Sequence, residues 1–159
     1  MDRNAPPGPA WTGGFTLPEL LVTLAIAALL VTQAVPALQA LLARHRLDQA
    51  VSETRSQLLL AERRARLQRQ ALRIDVRAGP NWRIGCQAGA APPPCVTARR
   101  HPRVRLTSVR PANGRLRFDG VRGLAAPARL VFASGPLRQE LRIALSGRLR
   151  ICDPEEGTC

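Results

Sequence analysis

The chain contains no tyrosine and no lysine, and its 159 residues include only three phenylalanines and two tryptophans. So few aromatics mean that a core has to be built from aliphatic side chains. Without lysine, every basic residue is arginine. We give that choice no weight as selected chemistry, but the sign and size of the charge act whatever produced them. There is no Gly-rich phosphate loop, no carboxylate pair at useful spacing beyond the apolar run, and no Ser/His/Asp or Cys/His constellation. The sequence therefore gives no enzyme reading and implies no cofactor. Glycine is missing from Phe15 to Leu72, and charge is missing between Glu19 and Arg44, which leaves room for one long helix that begins as an apolar one.

What is present is positive charge. The chain has 24 basic residues against 11 acidic ones, a formal net charge of +13. The segment Arg44–Ala78 holds nine arginines and Asn81–Arg150 fourteen, and the sign reverses only in the last nine residues. An excess of this size on a small domain suits a polyanionic partner: nucleic acid, a polyanionic glycan or acidic lipid headgroups. All four cysteines lie beyond the apolar run. Four cysteines allow three connectivities. Local pairing, Cys86 with Cys95 and Cys152 with Cys159, is expected because each pair closes a short loop rich in turn formers. Neither spacing is that of a zinc site. His45 lies far away along the helix, and His101, beside Pro102 in a basic stretch, reads as solvated, so no metal is expected.

Hydrophobic periodicity divides the chain. From Leu20 to Ala43 the residues are almost wholly Leu, Val, Ala and Ile, and at a rise of about 1.5 Å per residue such a helix spans a bilayer core. Leu47, Val51, Thr54, Leu58, Ala61 and Ala65 then recur at steps of four and three, one face of a continuing helix over roughly residues 16–71. From Leu72 the period shortens to two. Strands are expected at 72–77, 82–86, 104–109, 116–118, 128–133, 140–145 and 148–152, with 87–102 an irregular loop and Asn113-Gly114 a turn. About seven short strands after one long helix argue for an α+β fold, an antiparallel sheet layer packed on the helix.

The junction Gly13-Gly14-Phe15-Thr16-Leu17-Pro18-Glu19 adds a second kind of signal. A secretory signal is cut after its apolar core, whereas here the glycine precedes it. This arrangement resembles the leader of type IV prepilins and pseudopilins, with Pro36 as a second family mark. The resemblance implies cleavage after Gly14 by a prepilin peptidase, N-methylation of Phe15, and a role for Glu19 in docking subunits into a filament. An ionised carboxylate inside lipid costs at least ~2.5 kcal/mol, so Glu19 is either solvated at the headgroup boundary or paired with a terminal ammonium. Three segments follow: a leader over 1–14, a transmembrane and filament-core helix over 15–43, and a helix-plus-β domain over 44–159. The resemblance places that domain in the periplasm of a bacterium, on a single-pass inner-membrane anchor, with other pilins or pseudopilins as partners.

Trp82 after the first hairpin turn, the string of short strands, and Ser146-Gly147-Arg148-Leu149-Arg150 before Cys152 resemble the GspH/FimT family of minor pseudopilins and minor pilins. On the FimT side the Gly-Arg-x-Arg element implies binding of duplex DNA during natural transformation, here through Gly147, Arg148 and Arg150; Arg103 and Arg105 are further DNA-binding candidates. The bare pattern is weak, being expected roughly 0.3 times by composition, and it recurs at Gly114-Arg115-Leu116-Arg117. In a strand Arg148 and Arg150 would share one face at about 6.5–7 Å, comparable to successive phosphates. Two functions follow from the resemblance. One is a minor type IV pilin that binds DNA without sequence preference; the other is a structural minor pseudopilin of a type II secretion system.

Overall fold

A single helix, α1 (Leu17–Gln68), opens the computed structural model, which describes residues 16–85, 95–153, 157 and 159. The chain divides into two units, Met1–Gln39 and Ala40–Cys159. In the first, the helix is exposed all round, with Leu20, Leu21, Leu24, Ile26, Leu29 and Leu30 among its uncovered side chains. It is long and apolar enough to cross a membrane. The hydroxyls of Thr23 and Thr32 donate back to the carbonyls of Leu20 and Leu29 at 2.9 and 2.8 Å, so neither needs water. Pro36 lies inside α1 and does not end it.

In the second unit the helix buries one stripe: Leu47, Ala50, Val51, Thr54, Leu58, Ala61 and Ala65. These are the positions whose steps of three and four bring them onto one face. The helix stops at Gln68, earlier than its pattern alone indicates. Arg69 turns left-handed at φ 48°, its N–H bonds to the Arg66 carbonyl, and the Gln70 N–H bonds to the Ala65 carbonyl. That is a Schellman closure made without the usual glycine, so the sequence carries no stop signal there.

Nine strands follow among the described residues: β1 (Ala71–Arg77), β2 (Arg83–Gly85), β3 (Cys95–Thr97), β4 (Arg105–Arg110), β5 (Arg115–Asp119), β6 (Leu124–Ala125), β7 (Ala128–Ser134), β8 (Leu137–Ile143) and β9 (Leu149–Cys152). They form two antiparallel sheets, β3-β2-β1-β5-β6 and β4-β7-β8-β9. The α+β fold is as expected, with nine strands in place of about seven. The additions are β3, inside what reads as loop, and β6; at three and two residues neither is long enough to show a period. Asn113-Gly114 does form a turn, in which the Gly114 N–H bonds to the Pro111 carbonyl at 3.0 Å. It joins β4 to β5 across the two sheets, because β4 pairs with β7 and β5 with β1.

One core holds the unit together. Ile74, Ile84, Leu116, Phe118, Leu106, Leu130, Phe132 and Leu141 are buried from both sheets, with the helix stripe in the same cluster. Trp82 is 1% exposed, donates its indole N–H to the Val104 carbonyl at 2.8 Å, and meets Phe132 edge-on at 5.6 Å. The sequence reading of His101 as solvated is corrected here. Its ring stacks on Trp82 at 6.3 Å and bonds through Nε2 to Glu53 at 2.8 Å, leaving the side chain 11% exposed. Glu53 also takes Arg100 at 2.5 Å. Burial pushes its carboxyl up, but the bonds from Arg100 and His101 outweigh this and hold it below the usual carboxylate range.

Candidate functional site

The second Gly-Arg-x-Arg element leads into strand β9, and the neighbours of that strand decide what the element can do. Gly147 sits in the turn between β8 and β9, where its N–H bonds to the Ala144 carbonyl at 2.9 Å. Its φ is +80°, a left-handed backbone that favours glycine, so the turn itself accounts for this residue. The functional candidates are then Arg148 and Arg150, both exposed, on either side of the buried Leu149.

The register extends the site across the whole second sheet. Arg150 faces Arg142 on β8, Arg142 faces Arg129 on β7, and Arg129 faces Arg110 on β4. Four arginines thus stand in one row across four strands, a length of about 14 Å at ~4.8 Å per strand. With Arg148 and Cys159 they line a groove of about 620 Å³. Like charges directly opposite one another destabilise a sheet. Three such pairs in series need an offset.

Glu140 provides it. It lies two residues from Arg142 on the same face of β8, and its carboxylate accepts hydrogen bonds from Arg142 Nε and from an Arg129 guanidinium nitrogen. Glu140 is 1% exposed, although it belongs to the face turned away from the core. Cys152, opposite it on β9, is also buried and is joined to Cys159. Burial pushes the Glu140 carboxyl up, but the bonds from Arg142 and Arg129 outweigh this and hold it below the usual carboxylate range. The two central arginines are held in place, each with unused N–H donors and about half its side chain exposed. Among the described residues Arg110, Arg148 and Arg150 have no ion-pair partner.

The other expected residues are distributed unevenly. Arg105 lies on the outer face of this sheet, opposite Ala133, toward the far ends of the strands. Arg103 belongs elsewhere, in a smaller cavity of about 360 Å³ with Arg46, Gln49 and Arg100. The first Gly-Arg-x-Arg copy is on the other sheet, where Arg115 is 3.9 Å from Asp75 and Arg117 faces Arg73. Cys152 and Cys159 are disulfide-bonded. Cys95 is disulfide-bonded too, while its expected partner Cys86, like Gly14 and Phe15, lies outside the described residues. Glu19 is exposed in the first turn of α1. Arg110, Arg129, Arg142 and Glu140 were not reached from sequence. The signal for the middle pair is the two-residue Gly135-Pro136 loop, which fixes Ser134 opposite Leu137 and hence Arg129 opposite Arg142.

No family model matches the chain, and no curated protein does. Among solved structures, the fold is similar to that of the type IV minor pilin FimU of Pseudomonas aeruginosa (strain PAO1). The identity is 22%, the TM-score 0.55, and the match covers 73% of this chain and 94% of that one. The chain therefore has the fold of a type IV minor pilin.

Proposed function

We propose that the chain is a minor type IV pilin, anchored by the first half of α1, carried in a pilus with other pilins, and binding DNA through the arginine face of its second sheet. The fold and the membrane-length helix support the first part. The observation that carries the second is the arginine row ending in Arg150, which with Arg148 sets five guanidinium groups around one groove. Such a surface holds phosphates through charge, and phosphate contacts fix position without carrying base sequence. In this reading Gly14 and Phe15 flank the processing cut, Glu19 serves assembly, the β domain lies in the periplasm before assembly, and DNA capture supports uptake. The chain works by binding and assembly, with no reaction of its own.

The test is salt-dependent binding of a duplex to the full-length protein. Log affinity should fall linearly with log salt, and replacing Arg148 and Arg150 by Ala should flatten the slope by roughly two units, at about 0.9 per phosphate contact. Replacing Arg115 and Arg117 removes the same charge from the other sheet and should leave the slope nearly unchanged. Equal losses in both variants would reduce the binding to net charge. If the wild type binds no duplex even at low salt, a structural pseudopilin becomes the better reading.

A further inference from the structure

The outer face of the second sheet carries a second line of charge. Arg105 on β4 and Arg138 on β8 both pair with Ala133 on β7, so they stand in one cross-strand row on either side of it. Both are exposed, and among the described residues neither is ion-paired. Ala133 and Arg138 are each four residues along their strands from Arg129 and Arg142, placing the second line about 13 Å from the first at ~3.3 Å per residue. Between the lines lie Ser108, Val131, Glu140 and Cys152, a strip with no positive charge.

Two parallel lines of arginine, separated by a strip whose one charge, Glu140, is neutralised by Arg129 and Arg142, match two parallel lines of phosphate. The backbones of B-DNA border a major groove about 12 Å wide, close to the separation of the two lines. A single strand offers one such line. Proteins that hold single strands add stacking on aromatic side chains to such a line, and among the described residues the aromatic side chains Trp82, Phe118 and Phe132 are all buried. We propose that this face takes duplex DNA by both backbones at once. One backbone lies along Arg110, Arg129, Arg142 and Arg150, and the other on Arg105 and Arg138. The inference rests on the DNA-binding reading above and adds to it the simultaneous contact with both backbones, with Arg138 joining Arg105 as the line that holds the second one.

The experiment uses the full-length protein in nanodiscs of zwitterionic lipid, with a short duplex, one of its strands alone, and heparin as ligands. Near 0.1 M salt each phosphate contact contributes up to about eightfold by counterion release. R105A/R138A should therefore lower duplex affinity by about tenfold to sixtyfold while changing single-strand affinity by less than about threefold. R110A/R150A should lower both. All four side chains are exposed, so these variants should fold, and R115A/R117A controls for charge. The two-backbone reading is overturned if R105A/R138A costs the duplex no more than the control does. It is equally overturned if the single strand or heparin loses as much as the duplex. Absence of wild-type binding to every ligand would instead remove the DNA reading itself.

Discussion

Replacing Glu140 by Gln keeps the shape of a buried side chain and removes one charge, which isolates what the carboxylate contributes. Two hydrogen bonds to guanidinium groups are weakened, and the amide NH₂ now faces the donors that one carboxylate oxygen accepted. A hydrogen bond to a charged group contributes about 1.5–3 kcal/mol. Arg129 and Arg142 are 45% and 48% exposed, so both regain water when released, and the loss falls well short of two full bonds. Lost screening of the arginine row adds a few tenths of a kcal/mol per facing pair. The expected destabilisation is about 2–3 kcal/mol, or about 6–12 °C in Tm for a domain of this size. The pH dependence gives a second reading. Glu140 has its pKa lowered on folding, so its contribution is complete above the unfolded carboxylate value near ~4.3 and is lost as pH falls through the lower folded value. The gap between wild type and variant, followed by thermal melts, should be constant at neutral pH and close as pH falls below the ordinary carboxylate range. An unchanged Tm at neutral pH, or a gap that persists once carboxylates are protonated, would refute the reasoning.

Two other outcomes follow from residues already described. Glu19→Gln should leave membrane insertion intact and keep the chain out of sheared filaments; wild-type recovery of the variant from filaments would make Glu19 merely interfacial. Trp82→Phe removes the donor to Val104 and part of the edge contact with Phe132. Denaturant unfolding should show a loss of about 2 kcal/mol with unchanged slope, and an unchanged midpoint would show that the indole bond carries no net energy.

The parts of the fold legible in the sequence were those with a period. The apolar run, the helix stripe from Leu47 to Ala65, and the alternating strands 72–77 and 128–133 each repeat often enough to declare themselves. The closure at Arg69 did not, because a left-handed arginine does by geometry what glycine announces by identity. Strands β3 and β6 are too short to have a pattern and exist only because a neighbour is there to pair with. The site divides in the same way. Arg148 and Arg150 carry a motif and were found. Arg110, Arg129 and Arg142 are isolated arginines in sequence, and only the pairing of four strands brings them into line with Arg150. Arg103, close to Arg105 in the chain, goes to a different cavity, which proximity in sequence could not show. Glu140 reads as one acid among many bases. Its place under the row depends on the register of β8 against both neighbours.

The claim that this chain is a filament subunit is tested most directly at its N-terminus. Mass spectrometry of the protein recovered from sheared surface filaments of its own host should give a chain that begins at an N-methylated Phe15. Protein found only in the membrane fraction with the first fourteen residues still attached, or cut beyond Ala43, would contradict the account.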